Sequence, residues 1–219
     1  MDILEIMKAR HSVRQYTPRK IEDEKRRVLD ELATACNKKS GLNIQVIYDE
    51  PRCFSSIMAH YGKFSGCSNY IAIVGKKDKH LEEKAGYYGE KIVLKAQELG
   101  LNTCWAAMTH GKSAARIEQG EKLVILIALG YGANQGTIHK NKKLQDVCNY
   151  SDRMPEWFRQ GMEAVMLAPT AINQQRFKFT LDGDRVSVIS TGGPCSKIDL
   201  GIVKYHFEAV SKHKAYMNP

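Results

Sequence analysis

The chain has 219 residues, 43% hydrophobic and 26% charged, which suits one globular domain with a sizeable core. Its formal charge of +9 favours acidic ligands, yet the basic residues come in pairs and singles (Arg26-Arg27, Lys38-Lys39, Lys142-Lys143), without the run or tail that marks nucleic-acid binding. The six cysteines contain no Cys-x-x-Cys pair, which removes zinc-ribbon and thioredoxin-type readings and fits reduced thiols.

Asp2 and Glu5 form a capping-box pattern ahead of a short apolar face, Ile3, Leu4, Ile6 and Met7, where a signal peptide would be basic and then apolar. With no apolar stretch long enough to span a bilayer, the expectation is a soluble cytoplasmic protein. Residues 22–36 carry Val28, Leu29, Leu32 and Ala35 at helical spacing. "LNIQVIYDE" (42–50) alternates as a strand, and "YIAIVGK" (70–76) is a continuous apolar strand expected to be buried on both faces. The longest helical pattern runs from about 80 to 99, with Ile92, Ala96 and Leu99 on its core face and Gly100 at its stop.

"LGLNTCWAAMTHG" reads as a loop whose apolar residues serve either a flat ligand or simple core. "KLVILIALGY" (122–131) is the most apolar strand, followed by a glycine-containing basic loop and a helix from Leu144. Pro155 opens another helix. "RFKFTLDGDRVSVIS" reads as a hairpin turning at Asp182-Gly183, and Asp199 as the cap of a last helix with Ile202, Val203, His206, Phe207 and Val210 on one side. No linker and no fixed-period repeat is visible, so the expectation is one α+β domain over 1–219.

Several segments carry chemistry. In "RHSVR", Arg10, Ser12 and Arg14 would face one way in an extended chain, presenting two guanidinium forks and a hydroxyl to one anion; the bland alternative is a solvated connection. Lys140 and Lys142 alternate in the basic loop and could complete a cradle for a phosphate of about −1.5 to −2 charge, or simply face water. "LAPTAINQQRF" offers Thr170, Asn173 and Gln174 to a heterocycle edge, or forms a polar helix-to-strand turn. Cys104 has no His or Asp placed beside it by sequence and reads as packing, as do Tyr87 and Tyr88; His11, His60, His110 and His206 show no metal spacing.

Taken together and in order, "ARHSVRQY", "GEKIVLKAQELGLNTCW", "ALGYGANQGTIHKNKKLQDV" and "APTAINQQRF" resemble segments of the flavin-dependent nitroreductase family. That resemblance implies an α+β fold with a central, mostly antiparallel sheet flanked by helices, a homodimer, and FMN at the subunit interface. It implies Arg10, His11 and Ser12 at the FMN phosphate and ribityl chain, Arg14 toward N1 and O2, and Lys140 and Lys142 on the phosphate. Trp105, Ala107 and Met108 would line the ring. Pro169, Thr170, Ala171 and Asn173 would lie over it, in many members from the partner subunit. NADH or NADPH would donate electrons, a small organic acceptor such as a nitroaromatic or quinone would take them, and no protein acid, base or nucleophile is required.

Three departures stand out. Arg176-Phe177 replaces the family's Pro-Trp, Gly132 stands where Pro is common, and the "APTAINQQ" stretch comes late in the chain, as in a subgroup of the family. Two other readings compete: a related flavoenzyme with reductive dehalogenation or flavin breakdown as its chemistry, and a basic module binding RNA or an acidic partner without redox activity.

Overall fold

The computed structural model describes residues 2–217; the single domain expected over 1–219 also takes in Met1, Asn218 and Pro219, which lie outside the described residues. In chain order the helices are α1 (Ile3–Ala9), α2 (Asp23–Ser40), α3 (Ile57–Tyr61), α4 (Leu81–Glu98), α5 (Leu144–Val147), α6 (Glu156–Met166) and α7 (Ser196–Ser211). The strands are β1 (Leu42–Ile47), β2 (Asn69–Lys76), β3 (Asn102–Ala106), β4 (Glu121–Gly130), β5 (Phe177–Asp182), β6 (Arg185–Ser190) and β7 (Ala215–Met217).

A four-stranded antiparallel sheet in the order β1-β2-β4-β3 forms the centre, and β5-β6-β7 forms a second sheet in which only the β6–β7 pair is parallel. β2 is buried on both faces, as its apolar run predicts. Tyr70 and Ala72 point into one cluster with Phe54 and Phe64, while Ile71 and Ile73 point into the larger core with α2 and α4. Strand alternation produces this division, and β4 repeats it with Leu126 and Ala128 against Ile125, Ile127 and Leu129.

Several expectations need correction. The apolar segment after α4 is a strand, not a loop: β3 pairs along β4 from Asn102–Gly130 to Ala106–Leu126, which is why Leu101, Cys104 and Ala106 are buried. The hairpin turns one residue later than expected, at Gly183-Asp184, because Asp182 already pairs with Arg185. α7 opens at Cys195, so Asp199 lies a full turn inside it and does not cap it. Asp2 sits at the start of α1 without a side-chain cap bond.

A repeat that the sequence hides is also visible. Leaving aside α3, which is inserted between β1 and β2, helix, two antiparallel strands, helix and strand occur in that order as α2-β1-β2-α4-β3 and again as α6-β5-β6-α7-β7. The second helices of the two series, α4 and α7, cross at Gly86 and Gly201. A Cβ on Gly86 would fall 2.0 Å from the Ile198 carbonyl oxygen, and a Cβ on Gly201 would fall 2.0 Å from that of Glu83. Each glycine thus sits on the carbonyl three residues before the other, the reciprocity of a contact across a two-fold axis.

Candidate functional site

After α1 the chain runs extended from Arg10 to Tyr16, held by bridges of Ser12 to Thr103, Gln15 to Ser65 and Tyr16 to Gly132. Gly136, at φ 72°, brings the basic loop against this segment; a Cβ there would stand 2.8 Å from the Cβ of His11. Extended backbone aims Arg10, Ser12 and Arg14 the same way, and all three line one crevice.

The crevice has two adjoining lobes. The basic lobe, about 270 Å³, is lined by Arg10, Ser12, Arg14, Thr137, His139 and Asn173 among others. The apolar lobe, about 110 Å³, lies between Trp105, Ala107 and Ile125 on one side and Ile198, Asp199 and Ile202 of α7 on the other. Ser12, Arg14, Pro169, Thr170 and Ile172 border both. One wall comes from β3, β4 and the residue after β3 and the other from α7, so both belong to one chain.

Across the local two-fold, the counterpart cleft is lined by His80, Glu83, Lys84 and Tyr87 at the matching helical positions. Its charges are paired: Lys204 with Glu83 at 2.9 Å and Lys214 with Glu208 at 2.7 Å, with the Tyr87 hydroxyl donating to Glu208. It has no arginine pair and no apolar wall comparable to Ile125 and Ile198.

Arg10 is the unusual member of the basic lobe. It is 3% exposed, its Nε has no hydrogen-bond partner, and its nearest anion, Glu90, is 4.0 Å away. Burial pulls its guanidinium below the usual arginine range, with Glu90 opposing. Glu90, fully buried, is shared: Trp105 Nε1 donates to its Oε2 at 3.0 Å, and His206 Nε2 faces its Oε1 at 2.9 Å. His206 Nδ1 lies 2.8 Å from the Ala164 carbonyl, which only accepts, so that nitrogen carries hydrogen. Glu90 is thus shared among Trp105, His206 and, at 4.0 Å, the Arg10 guanidinium, whose Nε keeps no hydrogen bond of its own.

The roof is a strap, residues 169–175, with a 3-10 turn at Ala171–Asn173. Ile172, Asn173 and Gln175 have φ of 48°, 54° and 45°, and for β-branched Ile172 this is a true outlier. Such residues cost about 1–3 kcal/mol each and persist only where surrounding bonds determine them. Here Gln175 Nε2 donates to the Lys140 carbonyl at 2.7 Å and its Oε1 accepts from Lys142 N at 2.9 Å, while Asn173 Nδ2 also reaches the Lys140 carbonyl. At the other edge, Asp199 accepts from Ala171 N at 3.0 Å and from Gln174 Nε2 at 2.7 Å. Ile172 is 87% exposed at the lip of both lobes.

The sequence-derived residues therefore distribute as follows. Arg10, Ser12, Arg14, Trp105, Ala107, Pro169, Thr170, Ala171 and Asn173 line the crevice. His11 packs behind it against Gly136. Lys140 gives the strap its carbonyl, and the Lys142 ammonium donates to the Gln175 carbonyl at 3.0 Å. His139, unremarked in the sequence, takes a place in the basic lobe with Nε2 3.0 Å from the Met166 carbonyl, and burial lowers its pKa. Asp199, Ile198 and Ile202 were also missed; the only signal was an i, i+4 apolar pair flanking a carboxylate. Cys104 is a buried thiol pushed up by desolvation, consistent with packing. Among the described residues no His, Cys, Asp and Glu cluster could hold a metal, and no helix is long and apolar enough to cross a membrane.

Comparison with known proteins agrees with this architecture. A nitroreductase-family structure from Thermotoga maritima is 25% identical and covers 96% of this chain and 83% of its own, with a TM-score of 0.70. A Desulfovibrio desulfuricans nitroreductase-family protein in complex with FMN is 19% identical, with a TM-score of 0.55, covering 71% of this chain and 99% of its own. An FMN-dependent nitroreductase from Clostridium difficile is 17% identical, with a TM-score of 0.52, covering 68% of this chain and 98% of its own. The last two align over nearly their whole length yet leave about a third of this chain over. No curated protein matches. The family model described as "Putative TM nitroreductase" matches residues 2–211, and the chain belongs to that nitroreductase family.

Proposed function

We propose that the protein is an FMN-dependent oxidoreductase that passes electrons from NADH or NADPH to a small organic acceptor such as a nitroaromatic or quinone. The observation that carries this reading is the buried, unpartnered Nε of Arg10 at one end of a crevice whose other end is apolar. A buried cation of this kind calls for an anion, and an adjoining crevice walled by Trp105, Ile125, Ile198 and Ile202 suits the face of a flat ring system. FMN has both parts.

In this reading Arg10 holds the phosphate end with Ser12, in a lobe that His139 also lines. Trp105, Ala107 and Ile125 form the ring wall, and Pro169, Thr170, Ala171 and Asn173 the roof. When bound, FMN supplies the hydride and electron chemistry. The chain's own work is to orient and to exclude water. Glu90 fixes the Trp105 indole and meets Arg10 only at 4.0 Å, without a hydrogen bond to its Nε. Arg14, exposed and bordering both lobes, places positive charge beside the ring edge and so favours an anionic reduced form. Because both walls belong to one chain, flavin binding needs no second copy, and the homodimer implied by resemblance is not required to complete the site.

The test is stopped-flow mixing of the flavin-loaded protein with NADH and NADPH separately. Bleaching of the flavin absorbance by either supports the reading, and a spectrum unchanged by both contradicts it.

A further inference from the structure

Asp199 stands apart from the rest of the crevice. It is 4% exposed, on α7, and no lysine or arginine among the described residues pairs with it. The ionisable neighbours facing its lobe are Arg14 and Cys104 from the opposite wall and Cys195 from the start of α7. Burying an uncompensated carboxylate is unfavourable, and desolvation duly pushes its pKa up to about 6.

What the carboxylate does there is specific. One oxygen takes the Ala171 amide and the other the Gln174 side chain, whose Nε2 also donates to the Pro194 carbonyl at 2.8 Å. These bonds bracket Ile172 and Asn173, the residues in left-handed conformation at the lip. Gln175 anchors the far edge of the same strap to the basic loop, so Asp199 is the tie on the apolar-lobe side.

We propose that Asp199 is a positioning residue for the flavin site, its carboxylate clamping the strained strap over the apolar lobe so that the roof is in place before the ring arrives. The proposal rests on the reading of the crevice as a flavin site. It assigns Asp199 to the ring end alone, with no part in holding phosphate.

The experiment pairs amide hydrogen exchange of the apoprotein with titration of FMN and riboflavin, which differ only in the phosphate. In Asp199→Ala, Ala171 exchanges at least about tenfold faster while the amides of α4 keep their rates, and FMN and riboflavin affinities fall by the same factor, about tenfold. In Asp199→Asn one carbonyl oxygen still accepts from Ala171, so its protection returns. Unchanged Ala171 exchange, an unchanged flavin affinity in folded Asp199→Ala, or exchange in Asp199→Asn as fast as in Asp199→Ala would each overturn the clamp. If Asp199→Ala does not fold, Gln174→Leu replaces it; faster exchange across 171–174 supports the proposal and wild-type rates refute it. Failure of the parent protein to bind either flavin overturns the reading of the site instead, and the exchange rates then decide the clamp on their own.

Discussion

Gly86 and Gly201 occupy equivalent places in two crossing helices, each lying against the carbonyl three residues before the other. The crossing sets the distance between the two walls of the crevice, because Trp105 follows one helix and Ile198, Asp199 and Ile202 lie on the other. Alanine at either glycine would gain helix propensity of up to about 1 kcal/mol. It would also put a methyl 2.0 Å from a backbone oxygen, and that clash wins. Gly86→Ala and Gly201→Ala are each expected to lose about 1–3 kcal/mol, a fall in Tm of roughly 2–10 °C by calorimetry.

The Glu90–His206 pair makes a second expectation. Removing one partner strands the other without water, at a cost of about 3–5 kcal/mol. Glu90→Ala should therefore lower the denaturant midpoint strongly. It should also free the Trp105 indole, since that N–H loses its acceptor.

Arg10 and Arg14 separate by readout. Arg10→Ala removes a charge-assisted contact worth about 1.5–3 kcal/mol, so FMN affinity should fall roughly ten- to a hundredfold while riboflavin affinity holds. Arg14→Ala should lower the reduction potential of the bound flavin, measured by equilibrium dye titration. An unchanged potential would remove Arg14 from the ring.

Asp199 gives a pH signature in the opposite sense to an ion-paired carboxylate. Its folded pKa, about 6, lies above the ordinary 3.8, so the folded state binds the proton more tightly. The stabilising contribution is complete below 3.8 and is lost as pH rises through 6, with a span of about 3 kcal/mol. Denaturant unfolding should show the stability of the parent chain falling relative to Asp199→Asn between pH 4 and about 7. Parallel profiles would contradict this environment for Asp199.

Much of this was legible in the sequence because it rested on period. Alternation in 42–47 and the continuous run in β2 fixed strands, and the i, i+2, i+4 spacing of Arg10, Ser12 and Arg14 put them on one crevice. β3 was hidden because a five-residue strand against the end of β4 has no alternation of its own to show. Net charge marks where an anion could go but not which cations are buried: the Lys142 ammonium donates to the Gln175 carbonyl, while the Arg10 Nε is buried without a hydrogen-bond partner. Asp199 looked like a cap because helix starts favour Asp, and only tertiary structure shows its bonds to the strap. The internal repeat was invisible because the two series share an order of elements and little sequence.

The central claim is that one chain closes one flavin site. Titrating purified apoprotein with FMN, at protein concentrations spanning a hundredfold, tests it most directly. Saturation at one FMN per chain is expected, with an affinity independent of protein concentration and reduced by Arg10→Ala. Two flavins per chain, an affinity that vanishes on dilution with dissociation of a dimer, or no saturable binding would contradict it.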